Sequence, residues 1–461
     1  MKIVIVGAGI SGLTTYLFLK KLLPLALPPS TPLEFVIYEK HHAAAAKGHA
    51  SGSTTVGGAL GIAPNGLHVL RDLDQHLFQK LVAQGYSVSH CGMRNAHGWT
   101  IARFPATDFS DPPIHTVLIS RQKFWDCLRE SVPDDAIVHA NISEVACGEH
   151  QRPRIKFADA STDVEADLII GADGVRSVVK RAVTGDGKQD SLPATFEGLV
   201  GVGGFIPATT LGQNYPSGQL TLTFGSHGFF GYGPHCLMPE ADQNQYGSNR
   251  ADRIPSTPAK DAVWWSTYQF DHLPETANIN FEDIKAQLQR RHSNFKDPII
   301  QTIIANENID SIYPTWTTPS LPTWFNSNVV LVGDAAHALQ TSSGQGASQA
   351  LEDAQVLAML LAHYLRQSNP ELQIEDGISL ALKQYTELRK LRVERIAERA
   401  KMMGDMKRKK GMVEEWVTYF FIWVMGVLPR KWNSYDLFLL GELPGEKVRE
   451  FLAGKDEGRG R

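Results

Sequence analysis

Three short motifs built on glycine and aspartate carry the chemistry that can be read in this 461-residue chain. The first is Gly7-Ala8-Gly9-Ile10-Ser11-Gly12, a G-x-G-x-x-G that follows an apolar run and opens a helical pattern. Glycine at these places permits a tight turn, lets the backbone approach a pyrophosphate, and lets helix pack closely on strand. The helix N-terminus then offers unpaired N–H groups and partial positive charge to the phosphates. Glu39 ends the next apolar run, where a carboxylate can accept hydrogen bonds from ribose hydroxyls. Its spacing from the glycines exceeds the usual ~20 residues, and the proline-rich stretch Pro24–Pro32 accounts for the excess. The second motif is Gly171-Ala172-Asp173-Gly174, followed by Val175-Arg176-Ser177. The third is Gly333-Asp334-Ala335-Ala336-His337, which runs on to Gly344-Gln345-Gly346-Ala347 and then Glu352-Asp353. Each alone fits an ordinary strand-end turn. All three, in this order and behind a strand–helix–strand start, specify a dinucleotide site.

The elements that must position these motifs surround them. Ile3 to Val6 is continuously apolar, as a parallel strand buried on both faces should be. Ser11 to Leu23 reads as a helix ended by Pro24, and Glu34 to Glu39 as a second strand, which together make a βαβ unit. His41 to Gly58 is small and polar and reads as an insertion. Leu67 to Leu81 reads as helical. A strand over Val117-Leu118-Ile119 leads into a helix from Gln122 to Glu130, and a strand over Asp167 to Ile170 ends in the second motif. Between residues 190 and 315 the runs Gln219 to Phe224, Phe229 to Tyr232 and Val263 to Phe270 predict an antiparallel sheet, interrupted by the polar loop Pro239 to Lys260. Val329 to Val332 then feeds the third motif, and helices follow over Gln345 to Leu365 and Ala381 to Lys410.

Bulk properties narrow the partners. A chain of this length is expected to form two or three packed units. A net charge of -4 and a pI near 6.5 give no reason to expect nucleic acid, which leaves small molecules. Cys91, Cys127, Cys147 and Cys236 form no CxxC pair and suggest no disulfide framework. No His/Cys cluster has zinc spacing, and the adjacent His41-His42 pair is not read as a metal site. The N-terminal apolar run is itself a strand rather than a leader. No segment reaches the ~18 to 20 apolar residues that span a bilayer. A cytoplasmic location is the expectation, with membrane association of the C-terminal tail left open.

The combination resembles the FAD-dependent aromatic-hydroxylase family, the single-component flavoprotein monooxygenases that include salicylate and urate hydroxylase-like enzymes. The matching stretches are GAGISGL at 7–13, EK at 39–40, ALGIAPNGLHVL at 59–70, SRQKFWDCL at 120–128, GADGVRS at 171–177 and GDAAHALQTSSGQGASQALEDA at 333–354. The fold so implied is α/β. A Rossmann-type FAD-binding domain with a parallel sheet would take residues 1–74, 100–190 and 315–400. An antiparallel-sheet substrate domain would take 75–99 and 191–314, and a helical C-terminal region 401–461. The resemblance places FAD over Gly7, Gly9 and Gly12, with Glu39, beside Lys40, on the adenosine ribose. It puts Arg121 near the pyrophosphate and ribityl chain, Ala59 near the flavin, and Asp173 in contact with FAD and nicotinamide. Asp334 would bind the ribityl chain, and Gly346 and Ala347 the flavin through their backbone. In such enzymes NAD(P)H binds transiently to reduce the flavin. O2 then forms a C4a-hydroperoxide that hydroxylates or epoxidises the substrate. Aromatic residues at 224–232 and 264–270 favour an apolar or aromatic small molecule.

Some features depart from the family pattern. Thr341 stands where relatives commonly have Pro, and Gly201-Val202-Gly203-Gly204 has small residues where many carry an Arg. Tyr232 matches a tyrosine that relatives place in the substrate pocket and is the one candidate catalytic side chain. A buried tyrosine with a satisfied hydroxyl is the alternative. Trp264-Trp265-Ser266 does not match the W-x-W-x-I-P of flavin-dependent halogenases. A flavin oxidase or dehydrogenase, or a redox-silent flavin-binding module, stays open, and nicotinamide oxidation separates them. The apolar run Trp416 to Leu428 follows the basic run Lys407 to Lys410. As a helix it reaches only ~20 Å. It is expected to pack on the flavin domain, with a peripheral membrane contact as the alternative.

Overall fold

The strands that carry the motifs lie side by side in one six-stranded sheet. β1 (Lys2–Val6) pairs in parallel with β2 (Glu34–Glu39) on one side and with β12 (Leu168–Gly171) on the other. β8 (Ile137–His139) and β19 (Val329–Leu331) extend it in parallel, and β18 (Phe325–Asn326) closes the β19 edge antiparallel. The order is β18-β19-β12-β1-β2-β8. The computed structural model describes residues 1–41, 58–148, 151–185, 189–212, 215–216, 218–237, 250–255, 259–270, 280–306, 309–366, 374–429, 438–440 and 442–459. Of the expected insertion between His41 and Gly58, residues 42–57 lie outside the described residues, as do 239–249 and 256–258 of the polar loop. Ile3, Val4, Ile5, Leu168, Ile169 and Ile170 are fully buried, the signature of a parallel sheet covered on both faces.

The helices around this sheet are α1 (Ile10–Ala26), α2 (Pro64–Leu73), α3 (Gln75–Ala83), α4 (Arg121–Glu130) and α5 (Val179–Thr184). α6 (Phe281–His292) and α7 (Pro298–Asn306) belong to the second sheet described below. After them come α8 (Asp334–His337), α9 (Gly346–Arg366), α10 (Ile374–Asp405), α11 (Met412–Val427) and α12 (Pro444–Arg459). α1 does not stop at Pro24. The proline sits in the last turn, where it removes only one backbone bond, and Leu27 N–H still donates to the Leu23 carbonyl. The helix expected over Leu67–Leu81 is two helices. Asp74 is extended between them, and its carboxylate accepts from Leu77 N–H at 2.6 Å, starting a new helix. α10 begins earlier than expected and ends at Asp405, after which Lys407 N–H turns back to the Gly404 carbonyl.

The second large sheet has seven strands in the order β17-β13-β16-β15-β14-β5-β6. These are β5 (His90–Asn95), β6 (Thr100–Pro105), β13 (Thr195–Pro207), β14 (Gln219–Gly225), β15 (Gly228–Leu237), β16 (Ala259–Gln269) and β17 (Ser311–Thr317). All pairs are antiparallel except β14 with β5. One face carries Val200, Val202, Phe230, Tyr232 and Trp264, packed against Leu288 of α6 and Ile299, Ile300 and Ile303 of α7. β3 (Ala59–Ile62), β7 (Thr116–Ser120) and β4 (Tyr86–Val88) form a small sheet between the two large ones. β9 (Ile142–Gly148), β10 (Gln151–Phe157) and β11 (Val164–Glu165) form another. Two stretches fall on the other side of the expected domain boundaries. β6 pairs with β5 in the seven-stranded sheet, and Leu77, Phe78, Leu81 and Val82 of α3 pack into the core of the six-stranded one.

The tail packs differently from expectation. α11 lies on the seven-stranded sheet, not on the flavin half, because Tyr419 and Ile422 meet Ala102, Phe224 and Phe229. A Cβ on Gly426 would come within 2.4 Å of Ala102 Cβ, so this glycine lets helix and strand touch. Part of the basic run is spent inside the protein. Lys407 lies 4.4 Å above the Phe229 ring, Arg408 donates to the Glu197 carbonyl, and Lys410 donates to Thr418. No described helix is long and apolar enough to cross a membrane.

Candidate cofactor and substrate site

The C-terminal ends of β1, β12 and β19 are adjacent, so the three motifs converge on one edge of the parallel sheet. This is where open α/β sheets bind ligands. Gly7 has φ +105°, and a Cβ there would lie 2.5 Å from the Ala172 carbonyl oxygen, so the first motif touches the second. Gly333 has φ +59°, and a Cβ there would meet the Ser11 hydroxyl at 2.8 Å, so the third touches the first. Glu39 reaches the glycine turn from the end of β2: its carboxylate accepts from Ala8 N–H at 2.7 Å and from His41 N–H at 2.9 Å. Lys40 beside it is exposed.

Ala59 and Arg121 are brought together by backbone pairing. Ala59 faces Ser120 across β3 and β7, and Arg121 N–H donates to the Gly58 carbonyl at 2.9 Å. The Arg121 side chain is exposed and makes no ion pair among the described residues. Asp334 is exposed at the start of α8, and Gly346 and Ala347 are half-buried at the start of α9. Asp173 is different. Its carboxylate accepts from Ser177 Oγ at 2.6 Å and from Val178 N–H at 2.6 Å, so it closes its own turn. Burial raises its pKa against the pull of those bonds.

The residues present fit a dinucleotide cofactor on three observations. Nothing lies within 4 Å of a Cβ placed on Gly9, Gly58, Gly344 or Gly346, so these turns border open space. The Ser11 hydroxyl, at the start of α1, is buried with no hydrogen-bond partner among the described residues. Arg121 and Asp334 offer a cation and an anion whose side chains have no partner among the described residues.

Beneath the third motif lies a network that sequence reading missed. Asp353 accepts from Gly333 N–H at 2.8 Å, pairs with His337 Nε2 at 2.6 Å, and accepts from Arg389 Nε at 2.8 Å. Arg389 also donates to Glu352 at 2.5 Å and to the Gln349 side chain at 2.7 Å. Glu352 takes further bonds from Arg392 and from Asn65. Glu352, Asp353, Arg389 and Asn65 are fully buried. Burial opposes the charge on both carboxylates. Arg392 and Arg389 outweigh it at Glu352, as do His337 and Arg389 at Asp353, and both stay below the usual carboxylate range. The Glu352-Asp353 pair was visible in sequence, but its arginines lie a helix away.

The seven-stranded sheet turns its other face toward these motifs. Leu118 of β7, three residues before Arg121, fills the space above Gly233. Gln340, just after the third motif, donates to Glu197 of β13 at 2.7 Å, and Arg176 of the second motif lies 5.7 Å from the Trp316 ring of β17. Tyr232 is not on this face. Successive strand residues alternate sides, and Tyr232 points to the helix-covered side, fully buried, with its hydroxyl donating to Asp297 at 3.0 Å. Asp297 is also paired with Arg94 and accepts from Ile299 N–H at 3.0 Å, which caps α7. The catalytic role expected of Tyr232 is therefore replaced by a structural one. Tyr232→Phe should cost ~1 kcal/mol of stability and leave turnover within about two-fold of wild type, checked by thermal melting and steady-state rates.

One grouping has metal-ligating atoms without metal spacing in sequence: His235, Cys236 and Asp261 place theirs within 4.8 Å of one another. Cys236 is held as a thiol, pushed up to about 11 by burial and Asp261, and it donates to that carboxylate at 3.3 Å.

Known proteins share this fold. A family model described as FAD binding domain matches residues 134–400, more than half of the chain. The FAD-dependent monooxygenase atmM of Aspergillus flavus is 22% identical over 443 residues, 93% of this chain and 83% of that one. The aurachin C monooxygenase/isomerase of Stigmatella aurantiaca is 24% identical over 438 residues, 94% of this chain and 95% of that one. Among solved structures, HpxO of Klebsiella pneumoniae with FAD and uric acid superposes with a TM-score of 0.70 at 19% identity, covering 95% of this chain and 97% of that one. A salicylate hydroxylase substrate complex gives 0.70 at 18%, covering 97% of each. At such identities the structures establish the fold. The chain belongs to the FAD-dependent monooxygenase family, with FAD as its cofactor.

Proposed function

We propose that this protein uses NAD(P)H and O2 to insert one oxygen atom into an apolar or aromatic small molecule, by hydroxylation or epoxidation. The observation that carries the reading is the opposition of two surfaces: the open edge of the parallel sheet and a sheet face built of apolar and aromatic residues. FAD held at this edge would supply the redox chemistry, hydride acceptance from NAD(P)H and O2 activation. The protein's own groups bind, orient and exclude water. The turn at Gly7 and Gly9 with the N-terminus of α1 receives the pyrophosphate, Gly12 lets helix and turn pack, and Arg121 balances the phosphate charge. Glu39 receives the adenosine ribose, with Lys40 at its rim. Asp334 accepts from the ribityl chain. Ala59, Gly346 and Ala347 present backbone to the flavin ring. Asp173, engaged in its own turn, shapes the second motif from behind.

The labour divides accordingly. The six-stranded half holds the cofactor and the seven-stranded sheet holds the substrate. The reading is tested by adding NADPH or NADH to the flavin-loaded protein without oxygen, then admitting air. One of the two nicotinamides should bleach the flavin, and air should restore its colour. Bound flavin that neither nicotinamide reduces, with or without an aromatic compound present, would move the oxidase or redox-silent reading ahead.

A further inference from the structure

The sheet face turned toward the cofactor edge has an unusual floor. A Cβ on Gly201 would lie 2.1 Å from Cε2 and Cζ of Tyr313, and one on Gly231 would lie 2.4 Å from Cζ2 of Trp265. A Cβ on Gly203 would come within 2.6 Å of the Trp264 carbonyl oxygen and 3.2 Å of Trp265 Cβ. These glycines therefore let two aromatic rings lie down on the sheet. Any side chain there would lift them off it. Both rings stay partly exposed, although they rise from a sheet whose other residues are largely buried.

The polar ends of the two rings have no partners. Neither the Tyr313 hydroxyl nor the Trp265 indole N–H makes a hydrogen bond among the described residues, and neither atom is sealed from the surface. Burial alone pushes the Tyr313 hydroxyl up to about 12, so it stays protonated and can donate. The neighbouring positions on this face are Leu199, Phe205, Leu220, Leu222 and Val263, and the ionisable ring packed against Phe205, His235, is held neutral by burial, its pKa pushed down to about 4. The charged groups at its margins are committed. Lys407 stacks over Phe229, Arg176 lies against Trp316, and Glu197 accepts from Gln340 and Thr317.

We propose that Tyr313 and Trp265 are the substrate-recognition pair of this site, and that they select an uncharged, flat, ring-containing molecule whose oxygen or nitrogen meets the Tyr313 hydroxyl. The proposal rests on the oxygenase reading and names its substrate class. An aromatic platform gains from stacking on a planar ligand. The one cation the face shows, Lys407, is already stacked over Phe229, so a carboxylate would lose its hydration with little compensation.

The test uses the oxidised, FAD-loaded enzyme with no nicotinamide. 1-Naphthol, naphthalene and 1-naphthoate are titrated while the flavin absorption is followed. 1-Naphthol should bind at least ~10-fold tighter than 1-naphthoate. Tyr313→Phe should weaken 1-naphthol by ~5- to 10-fold and leave naphthalene unchanged. Trp265→Leu, checked for retained flavin so that misfolding is recognised, should weaken both. Equal or tighter binding of the carboxylate, indifference of 1-naphthol to Tyr313→Phe, or no response to either neutral probe would each overturn the proposal. Nicotinamide-driven flavin reduction in the same preparation is scored separately. Its absence with the binding pattern intact would defeat the oxygenase reading alone.

Discussion

Gly12→Ala should give a protein that cannot be charged with FAD, whereas Gly9→Ala should fold normally and bind FAD weakly. The two glycines differ in what surrounds them. A Cβ on Gly12 would lie 2.0 Å from the Gly7 carbonyl oxygen, backbone against backbone, with Ala172 Cβ at 3.3 Å behind it. Neither side can yield by turning a side chain, so the first turn must leave β1. Overpacking of this kind costs ~3 kcal/mol or more, placed on the turn that forms the phosphate site. A Cβ on Gly9 meets nothing in the protein, so its cost is paid only against the cofactor. Gly12→Ala should therefore lower both the melting temperature and the flavin content. Gly9→Ala should keep its melting temperature without cofactor and lose at least ~10-fold in FAD affinity. Gly12→Ala with full flavin content would show that the turn is not where the pyrophosphate sits.

Arg389→Ala should be the most damaging single change away from the cofactor itself. It leaves Glu352 and Asp353 charged, fully buried and short of their shared cation. Removing one partner from a buried ionic cluster costs ~3 to 5 kcal/mol, a large part of a typical protein's total stability. Because Asp353 also holds Gly333 N–H, the loss reaches the turn before Asp334. Arg389→Lys keeps the charge but not the fork of donors, and should recover only part of the loss. The pH dependence follows from the same groups. Both carboxylates have depressed pKa values in the folded state. Their stabilisation is therefore complete above the unfolded carboxylate range, ~4, and disappears as pH falls through the depressed values. FAD release and unfolding should thus share an acid limb below pH ~4, and Arg389→Ala should move that limb to higher pH. An acid limb unchanged in Arg389→Ala would remove the cluster from the account.

How far this was legible in sequence depends on the range of each interaction. The G-x-G-x-x-G, Glu39 and the two Asp-bearing strand ends declare themselves because each is a local strand-to-turn signal, and parallel pairing then stacks them. Glu352-Asp353 was visible, yet its role was not, since Arg389 and Arg392 lie beyond residues 367–373 on the next helix. Tyr232 misled for another reason. Phe229-Phe230-Gly231-Tyr232 is apolar at nearly every position, so the pattern does not say which face is which. Only the register with β14 and β16 and the cover of α6 and α7 assign it. The glycines of β13 read as small residues lacking an arginine. Their purpose emerges from Tyr313, more than a hundred residues later. α11 was recognisable as an apolar helix, but its docking face is set by Tyr419, Ile422 and Gly426 meeting a strand from residues 100–105.

Whether the three strand-end motifs form one FAD site is read most directly from the visible absorption spectrum of the purified, gel-filtered protein. The spectrum should show the two bands of oxidised flavin at one FAD per chain, or their full recovery on reconstitution. A colourless protein that keeps its fold and takes up no FAD when supplied with it would contradict the claim.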